Sequence, residues 1–184
     1  MTIQKFRKFN QLKNVYRATS VVDRKESSAE HTWSSLMLAD YFLEQDDMGL
    51  DRLKVFEILM YHDVVEIEAG DTPIHLNADP KKKQEKEMFA AKKLVKELPE
   101  KQANKFLKLF NEFENKSSKE ARFAKAIDQL DAVINQLEYK EKWSTWSKEY
   151  IIEKKEKYFE EFPNILKEFR ELLVYLEEEN YFGE

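Results

Sequence analysis

Residues 60–71, MYHDVVEIEAGD, hold the densest group of side chains that could do chemistry. The adjacent His62 and Asp63 offer one borderline and one hard ligand, a combination suited to a divalent ion such as Mn, Co, Fe, Ni or Zn. Glu66 follows His62 by four residues and Asp63 by three, so the three share a side if a helix continues through them. An isolated His-Asp pair is weak support, so the surrounding elements decide its value.

A predicted helix leads into the pair. Its apolar residues have helical spacing and should bury one face: Leu50, Leu53, Val55, Phe56, Leu59 and Met60. This helix places His62 and Asp63 at its C-terminal end. Gly70 then ends the helical stretch, and a loop follows from Asp71.

Two other predicted helices carry further candidate ligands. Ser27 and Glu30 have the form of a capping box, which places His31 in the first turn of a helix that runs to about residue 43. Its expected core face consists of Trp33, Leu36, Met37 and Phe42. A lone histidine there is ordinarily a partly buried, hydrogen-bonded residue. Further along, Asp128 borders an apolar line, and a buried carboxylate needs a partner or a metal; Asp131, one turn later, is its rival, with a slight preference for Asp128.

Composition predicts an all-α, single-domain, compact helical bundle over residues 1–184. Three Gly and four Pro, with frequent Leu, Glu, Lys, Ala and Phe, favour long helices and few turns. The lack of Cys excludes disulfides and thiolate chemistry and fits a reducing compartment. No signal peptide or long apolar span is present, so we expect a cytoplasmic protein without membrane contact. A net charge of -5 disfavours nucleic acid as a partner.

The other elements are expected to be mostly helical. An amphipathic helix is expected over residues 1–16, where apolar residues recur every three positions, and a connection over 18–28. Further helices are predicted from 80 to 98, from 101 to 113 with Ala103, Phe106, Phe110 and Phe113 on one side, and from a Ser117–Glu120 capping box to 137. Trp143 and Trp146 should lie in a loop or helix end. C-terminal helices over 147–181, broken near Pro163, should contribute aromatics to the core or to dimer contacts.

Taken together, these residues resemble the HD-domain metal-dependent phosphohydrolases, and more narrowly their small helical subgroup that includes the 5'-deoxynucleotidases. The segments RKESSAEHTW, YHDVVEIEAGDTP and AKAIDQLDA carry the resemblance, which covers about residues 12–139. It implies an HD-type bundle that forms a homodimer. It also implies catalytic roles for Glu66 and Asp71. The metal ligands that it implies are His31, His62, Asp63 and Asp128.

The resemblance further implies that Arg17 and Arg24 bind the substrate phosphate. Bacterial deoxynucleotidases have a Trp after the first of these arginines, whereas Ala18 stands here. Any selection against a ribose 2'-hydroxyl that depends on the Trp is therefore unsupported. His75 is the one histidine left after the ligands, which favours a single-metal site, and we expect it on the surface rather than at the pocket edge.

The predicted activity is hydrolysis of (deoxy)ribonucleoside 5'-monophosphates to nucleoside and phosphate, through in-line attack by a water bound to one divalent ion. Mn or Co is expected, with Fe, Ni, Zn and Mg as alternatives. Glu66 would orient or deprotonate the water, and Asp71 would position it or assist proton transfer to the leaving oxygen. The alternatives are hydrolysis of another phosphoester or of a nucleoside di- or triphosphate, and an inactive, metal-binding helical interaction protein.

Overall fold

The computed structural model describes residues 2–71 and 80–183. The helices are α1 (Thr2–Phe6), α2 (Ser28–Gln45), α3 (Arg52–Tyr61), α4 (Glu66–Ala69), α5 (Pro80–Glu97), α6 (Glu100–Asn115), α7 (Lys119–Asn135), α8 (Lys148–Lys155) and α9 (Pro163–Glu178). Short 3-10 helices cover Phe9–Asn14, Gln136–Glu138, Lys140–Thr145 and Glu156–Tyr158. Strands β1 (Tyr16–Val21) and β2 (Arg24–Ser27) pair antiparallel. The predicted all-α class is confirmed, with this hairpin as its small β component.

The core lies where α2, α3 and α7 pack on one another and α6 packs on α3 and α7. The predicted apolar side of α6 is confirmed, since Ala103, Phe106, Phe110 and Phe113 are all buried. Each buried aromatic stabilises the fold by about 1.5–3 kcal/mol relative to leaving it in water. Trp143 and Phe169, from the C-terminal part, belong to the same apolar cluster. These two aromatics therefore serve the core.

The N-terminal predictions are wrong. The expected helix over 1–16 is a single turn of α1, a 3-10 helix and the start of β1, and the expected connection over 18–28 is mostly the hairpin. A strict apolar spacing of three matches the 3.0-residue turn of a 3-10 helix better than the 3.6-residue turn of an α-helix. The β-branched residues Thr19 and Val21 favour the extended backbone of β1.

The outer faces of α2 and α3 carry apolar side chains that were expected inside. Four of the predicted core residues are exposed instead: Trp33 (66%), Met37 (54%), Leu53 (67%) and Met60 (46%). Phe42 is buried as predicted. The inner face of α2 is built largely from small and polar residues, among them Ser28, His31, Ser35 and Ala39. A hydrophobicity pattern therefore misplaces that face, because its residues serve the site rather than the apolar core.

Helix ends follow the sequence signals in part. The capping box of Ser27 and Glu30 at α2 is confirmed. The predicted cap at Ser117 is wrong, because the hydroxyl of Ser118 accepts from the Ala121 N–H, while the Ser117 N–H closes the end of α6 on the Glu112 carbonyl. Residues 72–79, which include most of the predicted loop and His75, lie outside the described residues. Among the described residues, every helix is too short or too polar to cross a bilayer.

Candidate metal centre

His62 lies at the C-terminal end of α3, as its sequence position predicts. Its Nδ1 lies 2.6 Å from the carbonyl oxygen of Leu59. Because a carbonyl can only accept, Nδ1 carries the proton and the lone pair lies on Nε2. That Nε2 is buried and without a hydrogen-bond partner among the described residues, 3.2 Å from Oδ1 of Asp63. A buried, unsatisfied nitrogen is costly, so its lone pair is suited to a cation.

His31, in the first turn of α2, is completely buried. Its Nε2 lies 3.1 Å from Oδ1 of Asp128 and 3.9 Å from Oδ2 of Asp63. The ring centroids of His31 and His62 are 5.4 Å apart. Ligand atoms of His31, His62 and Asp63 all lie within 4.8 Å of one another. The donor set, two imidazoles and two carboxylates from three separated stretches, fits a divalent ion with open coordination positions.

The protonation states of His62 and Asp128 suit cation binding, and that of His31 depends on its two carboxylate partners. Burial lowers the pKa of His62, which keeps its ring neutral. Burial would likewise lower the pKa of His31, but hydrogen bonds to Asp128 and Asp131 raise it to about 10. Against the effect of burial, Lys125 and His31 hold the pKa of Asp128 well below its usual range. Neutral pH therefore leaves Asp128 charged and His62 neutral, the forms that bind metals, whereas His31 without an ion is protonated on both nitrogens and must release its Nε2 proton before that nitrogen can bind a cation.

Asp128 is held by its second oxygen. Oδ2 accepts from Lys125 Nζ at 2.8 Å and from Gln129 Nε2 at 3.0 Å. The Gln129 amide is itself oriented, because its Oε1 accepts from Lys155 Nζ at 2.7 Å. Oδ1 of Asp128 faces His31. A hydrogen-bond chain from α8 thus fixes the carboxylate, and the sequence contained no signal for the participation of Lys155.

Glu66 and Asp71 flank the His-Asp pair. Glu66 is buried, and its Oε2 accepts from the Ser28 hydroxyl at 2.6 Å. Burial, and then the charge of Asp63, raise the pKa of Glu66 to about 8, with Asp71 contributing in the same direction. Gly70 ends α4 as predicted, with φ of 69° and its N–H 2.7 Å from the Glu66 carbonyl oxygen. That turn leads the chain from the buried Glu66 to Asp71.

The hairpin brings Arg17 to the cluster. Its NH1 lies 3.3 Å from Oδ2 of Asp63, and its Nε lies 3.2 Å from Oε2 of Glu26. Arg24 lies elsewhere on the hairpin with 56% of its side chain exposed, and its guanidinium pairs with Glu30 and bonds the Lys25 carbonyl. The structure therefore joins Arg17 to the site, whereas the described contacts of Arg24 are with Lys25 on β2 and with Glu30 in the first turn of α2.

Asp131 and Glu26 complete the surroundings of His31. Oδ2 of Asp131 lies 2.7 Å from the His31 Nδ1, on the opposite side of the ring from Asp128. Glu26, His31 and Asp131 form a second group whose potential ligand atoms lie within 4.8 Å of one another. The sequence marked Asp131 only as a rival ligand and held no signal for Glu26. The spacing of three between Asp128 and Asp131 was the signal that both carboxylates could reach one side chain.

A family model described as "HD domain" matches residues 9–169. The chain belongs to the HD-domain family. A relative of this HD-domain protein, the 5'-deoxynucleotidase HDDC2 of Bos taurus, is 30% identical over 142 residues, which cover 76% of this chain and 68% of the relative.

Solved structures agree with the family assignment. The crystal structure of a predicted metal-dependent phosphohydrolase from Magnetospirillum magnetotacticum MS-1 matches with a TM-score of 0.84 and 28% identity, over 99% of this chain and 96% of that one. An HD-domain phosphohydrolase from Listeria innocua shares the fold alone, with a TM-score of 0.66 and 21% identity over 96% and 86% of the two chains. The resemblance noted in the sequence is confirmed, and this HD-domain protein is a metal-dependent phosphohydrolase by family.

Proposed function

We propose that this HD-domain protein is a 5'-nucleotidase that hydrolyses (deoxy)ribonucleoside 5'-monophosphates to nucleoside and phosphate. The observation that carries the proposal is the group formed by ligand atoms of His31, His62 and Asp63, which includes the unpaired, buried Nε2 of His62, with Oδ1 of Asp128 3.1 Å from the His31 Nε2. The substrate class follows from the relatives named 5'-deoxynucleotidase. The proposed metal ligands are His31, His62, Asp63 and Asp128.

One divalent ion, Mn or Co in our proposal, would polarise water and offset the negative charge of the phosphate. Glu66 accepts a proton from the attacking water in its ionised form. Its pKa of about 8 means that most of the carboxyl is protonated at pH 7 and ionised above pH 8. Asp71 positions that water or assists the proton transfer to the leaving oxygen. Arg17 binds the phosphate from its place beside Asp63. Arg24 is assigned to phosphate binding from the sequence resemblance alone.

The substrate proposal is tested by phosphate release from a panel of ribo- and deoxyribonucleoside 5'-monophosphates, with and without Mn²⁺ or Co²⁺. We expect release that depends on the added metal and is lost in His62→Ala. If phosphate is released preferentially from nucleoside di- or triphosphates assayed in parallel, these are the substrates instead of the monophosphates. No release from any member of the panel, with metal bound, would refute the hydrolase and favour a binding role.

The role of Glu66 has a matched control on the same short helix. Glu66→Gln should lower kcat by about 10²- to 10⁴-fold while retaining metal binding, because the amide cannot accept the proton. Glu68→Gln should leave kcat unchanged, since the described ion pairs of Glu68 are with Lys8 and Lys93. Full turnover by Glu66→Gln with metal bound would contradict the assignment.

We further propose a cytoplasmic homodimer that consists of one HD domain per chain over residues 1–184, with a motif-bearing core of about 12–139 and helices of 147–181 packed on it. The exposed stripe of Trp33, Met37 and Tyr41 on α2 supports dimerisation, because contiguous apolar surface is typical of an interface. Trp33→Ser should therefore lower the mass measured by light scattering to that of one chain. The localisation stays a prediction from the cysteine-free sequence.

A further inference from the structure

Both ring nitrogens of His31 contact carboxylates of α7. Asp128 lies at Nε2 and Asp131, three residues later, lies at Nδ1. A neutral imidazole carries one proton, so one nitrogen donates while the other offers its lone pair. Whichever carboxylate accepts the proton decides which nitrogen can face an ion.

The Asp131 carboxylate is built to accept. Its Oδ2 lies 2.7 Å from His31 Nδ1 and also accepts from the Ser34 hydroxyl at 2.9 Å. Ser34 lies on α2 one turn after His31, so the donor and its support come from the same helix. Asp131 is buried, and in the described ranges 2–71 and 80–183 its ion-pair contact is with His31. A buried carboxylate with so few donors depends strongly on each of them.

We propose that Asp131 is a positioning residue: its carboxylate holds the proton on Nδ1 of His31 and so presents Nε2 to the metal ion. The inference rests on the metal centre proposed above and adds a residue outside its ligand set. In His62 the Leu59 carbonyl has this role, because it accepts the Nδ1 proton and leaves the lone pair on Nε2. A hydrogen-bonded partner on the far nitrogen fixes the tautomer and ring orientation and makes the ligand more basic.

The rival arrangement is a second ion bound by Glu26, His31 and Asp131. The contacts of Glu26 argue against it. Its Oε2 accepts from the Thr19 hydroxyl at 2.6 Å and lies 3.2 Å from Arg17 Nε, while its Oε1 accepts from the Asn135 amide at 3.1 Å. Both oxygens of Glu26 already face donors, which leaves fewer lone pairs for a cation.

The experiment combines titration calorimetry with Zn²⁺ and Mn²⁺ and ¹⁵N NMR of histidine-labelled protein. The His31 signals are assigned with His31→Gln. In the Zn²⁺ form of the wild type we expect one ion per chain and a proton on Nδ1 of His31. Asp131→Ala should lower the metal affinity by about 10- to 100-fold and lose the fixed Nδ1 proton. Asp131→Asn should lower it less and keep the tautomer, because the amide oxygen still accepts. If Asp131 only stabilised the fold, the metal affinities would not fall in the order wild type, Asp131→Asn, Asp131→Ala.

The matched comparison is Asp128→Asn, which changes the carboxylate on the other ring nitrogen and should abolish metal binding. Metal affinity within twofold of wild type and an unchanged tautomer in Asp131→Ala would overturn the proposal. Two ions in the wild type and one in Asp131→Ala would also overturn it, because Asp131 would then be a ligand.

The tautomer measurement separates this proposal from the proposed function. If the wild type binds no ion, the nucleotidase proposal fails, and the metal-free spectrum still reports on Asp131. A downfield Nδ1 proton of His31 that is lost in Asp131→Ala, or that shifts upfield in Asp131→Asn or Ser34→Ala, supports the hydrogen bond, and an unmoved signal overturns it. Ser34→Ala also serves where Asp131→Ala does not fold, with an expected loss of affinity smaller than that of Asp131→Asn.

Discussion

Lys155→Met tests how a buried ammonium affects both stability and its pH dependence. Burial lowers the pKa of Lys155 from 10.5 to about 8. That change corresponds to a free-energy cost of about 3 kcal/mol for the charged form of Lys155. We halve this cost because the side chain keeps partial exposure to solvent. Removing the amine leaves the Gln129 Oε1 without its 2.7 Å donor, at a cost of about 1–3 kcal/mol. The two effects nearly cancel at pH 7, so we expect a change in unfolding free energy of about 1 kcal/mol or less.

The pH dependence should differ between the two proteins. The folded state releases the Lys155 proton at about pH 8 and the unfolded chain at about 10.5, so the unfolded chain binds more protons in that interval. Stability contributed by Lys155 therefore rises with pH from about 8 to 10.5. The wild type should gain about 1–2 kcal/mol relative to Lys155→Met between pH 7 and pH 9.5.

Urea unfolding of the metal-free proteins at pH 7 and pH 9.5 measures the difference directly. Lys154→Met is the matched control, because Lys154 is exposed on the same helix and pairs with Glu153. This control should show no such gain. A stability difference between wild type and Lys155→Met that is the same at both pH values would refute the reasoning about burial.

Three further predictions concern the fold. Val22 has φ of 53° and is exposed, so Val22→Asn should raise the free energy of unfolding by about 1 kcal/mol, with a higher Tm by calorimetry. Asp51→Ala removes the side chain that accepts from the Lys54 N–H at the start of α3 and should cost about 1 kcal/mol in urea unfolding. Phe106→Ala empties a fully buried position and should cost about 3–5 kcal/mol. Equal stability of any variant and wild type would contradict the stated cause.

The sequence predicted the parts of the site that depend on local rules. Helix caps and breakers are read from a few neighbouring residues, which explains the success with Glu30, with His62 at a helix end and with Gly70. Contacts between distant segments depend on packing that no local pattern encodes. The carboxylates of Asp128 and Asp131 were both candidates, and only the assembled bundle shows one on each nitrogen of His31.

The hairpin was missed although its residues are close together in the sequence. Thr19 and Val21 are only a weak strand signal, and the apolar period of the preceding residues was interpreted as a longer helix. The error mattered for function, because β1 and β2 place Arg17 and Glu26 against the cluster. A two-stranded element of this size has little stability of its own and depends on the helices beneath it.

The register of α7 limits which changes in chain length this protein can tolerate. Lys125, Asp128 and Asp131 recur at intervals of three on one helix, and each residue advances the helix by about 100°. A single inserted residue between Lys125 and Asp128 would rotate every later side chain away from its contact. The tip of the hairpin at Val22 and Asp23 is exposed and bears none of these contacts. Insertions in homologues, or an engineered peptide tag, should therefore be accepted at that tip and rejected within α7.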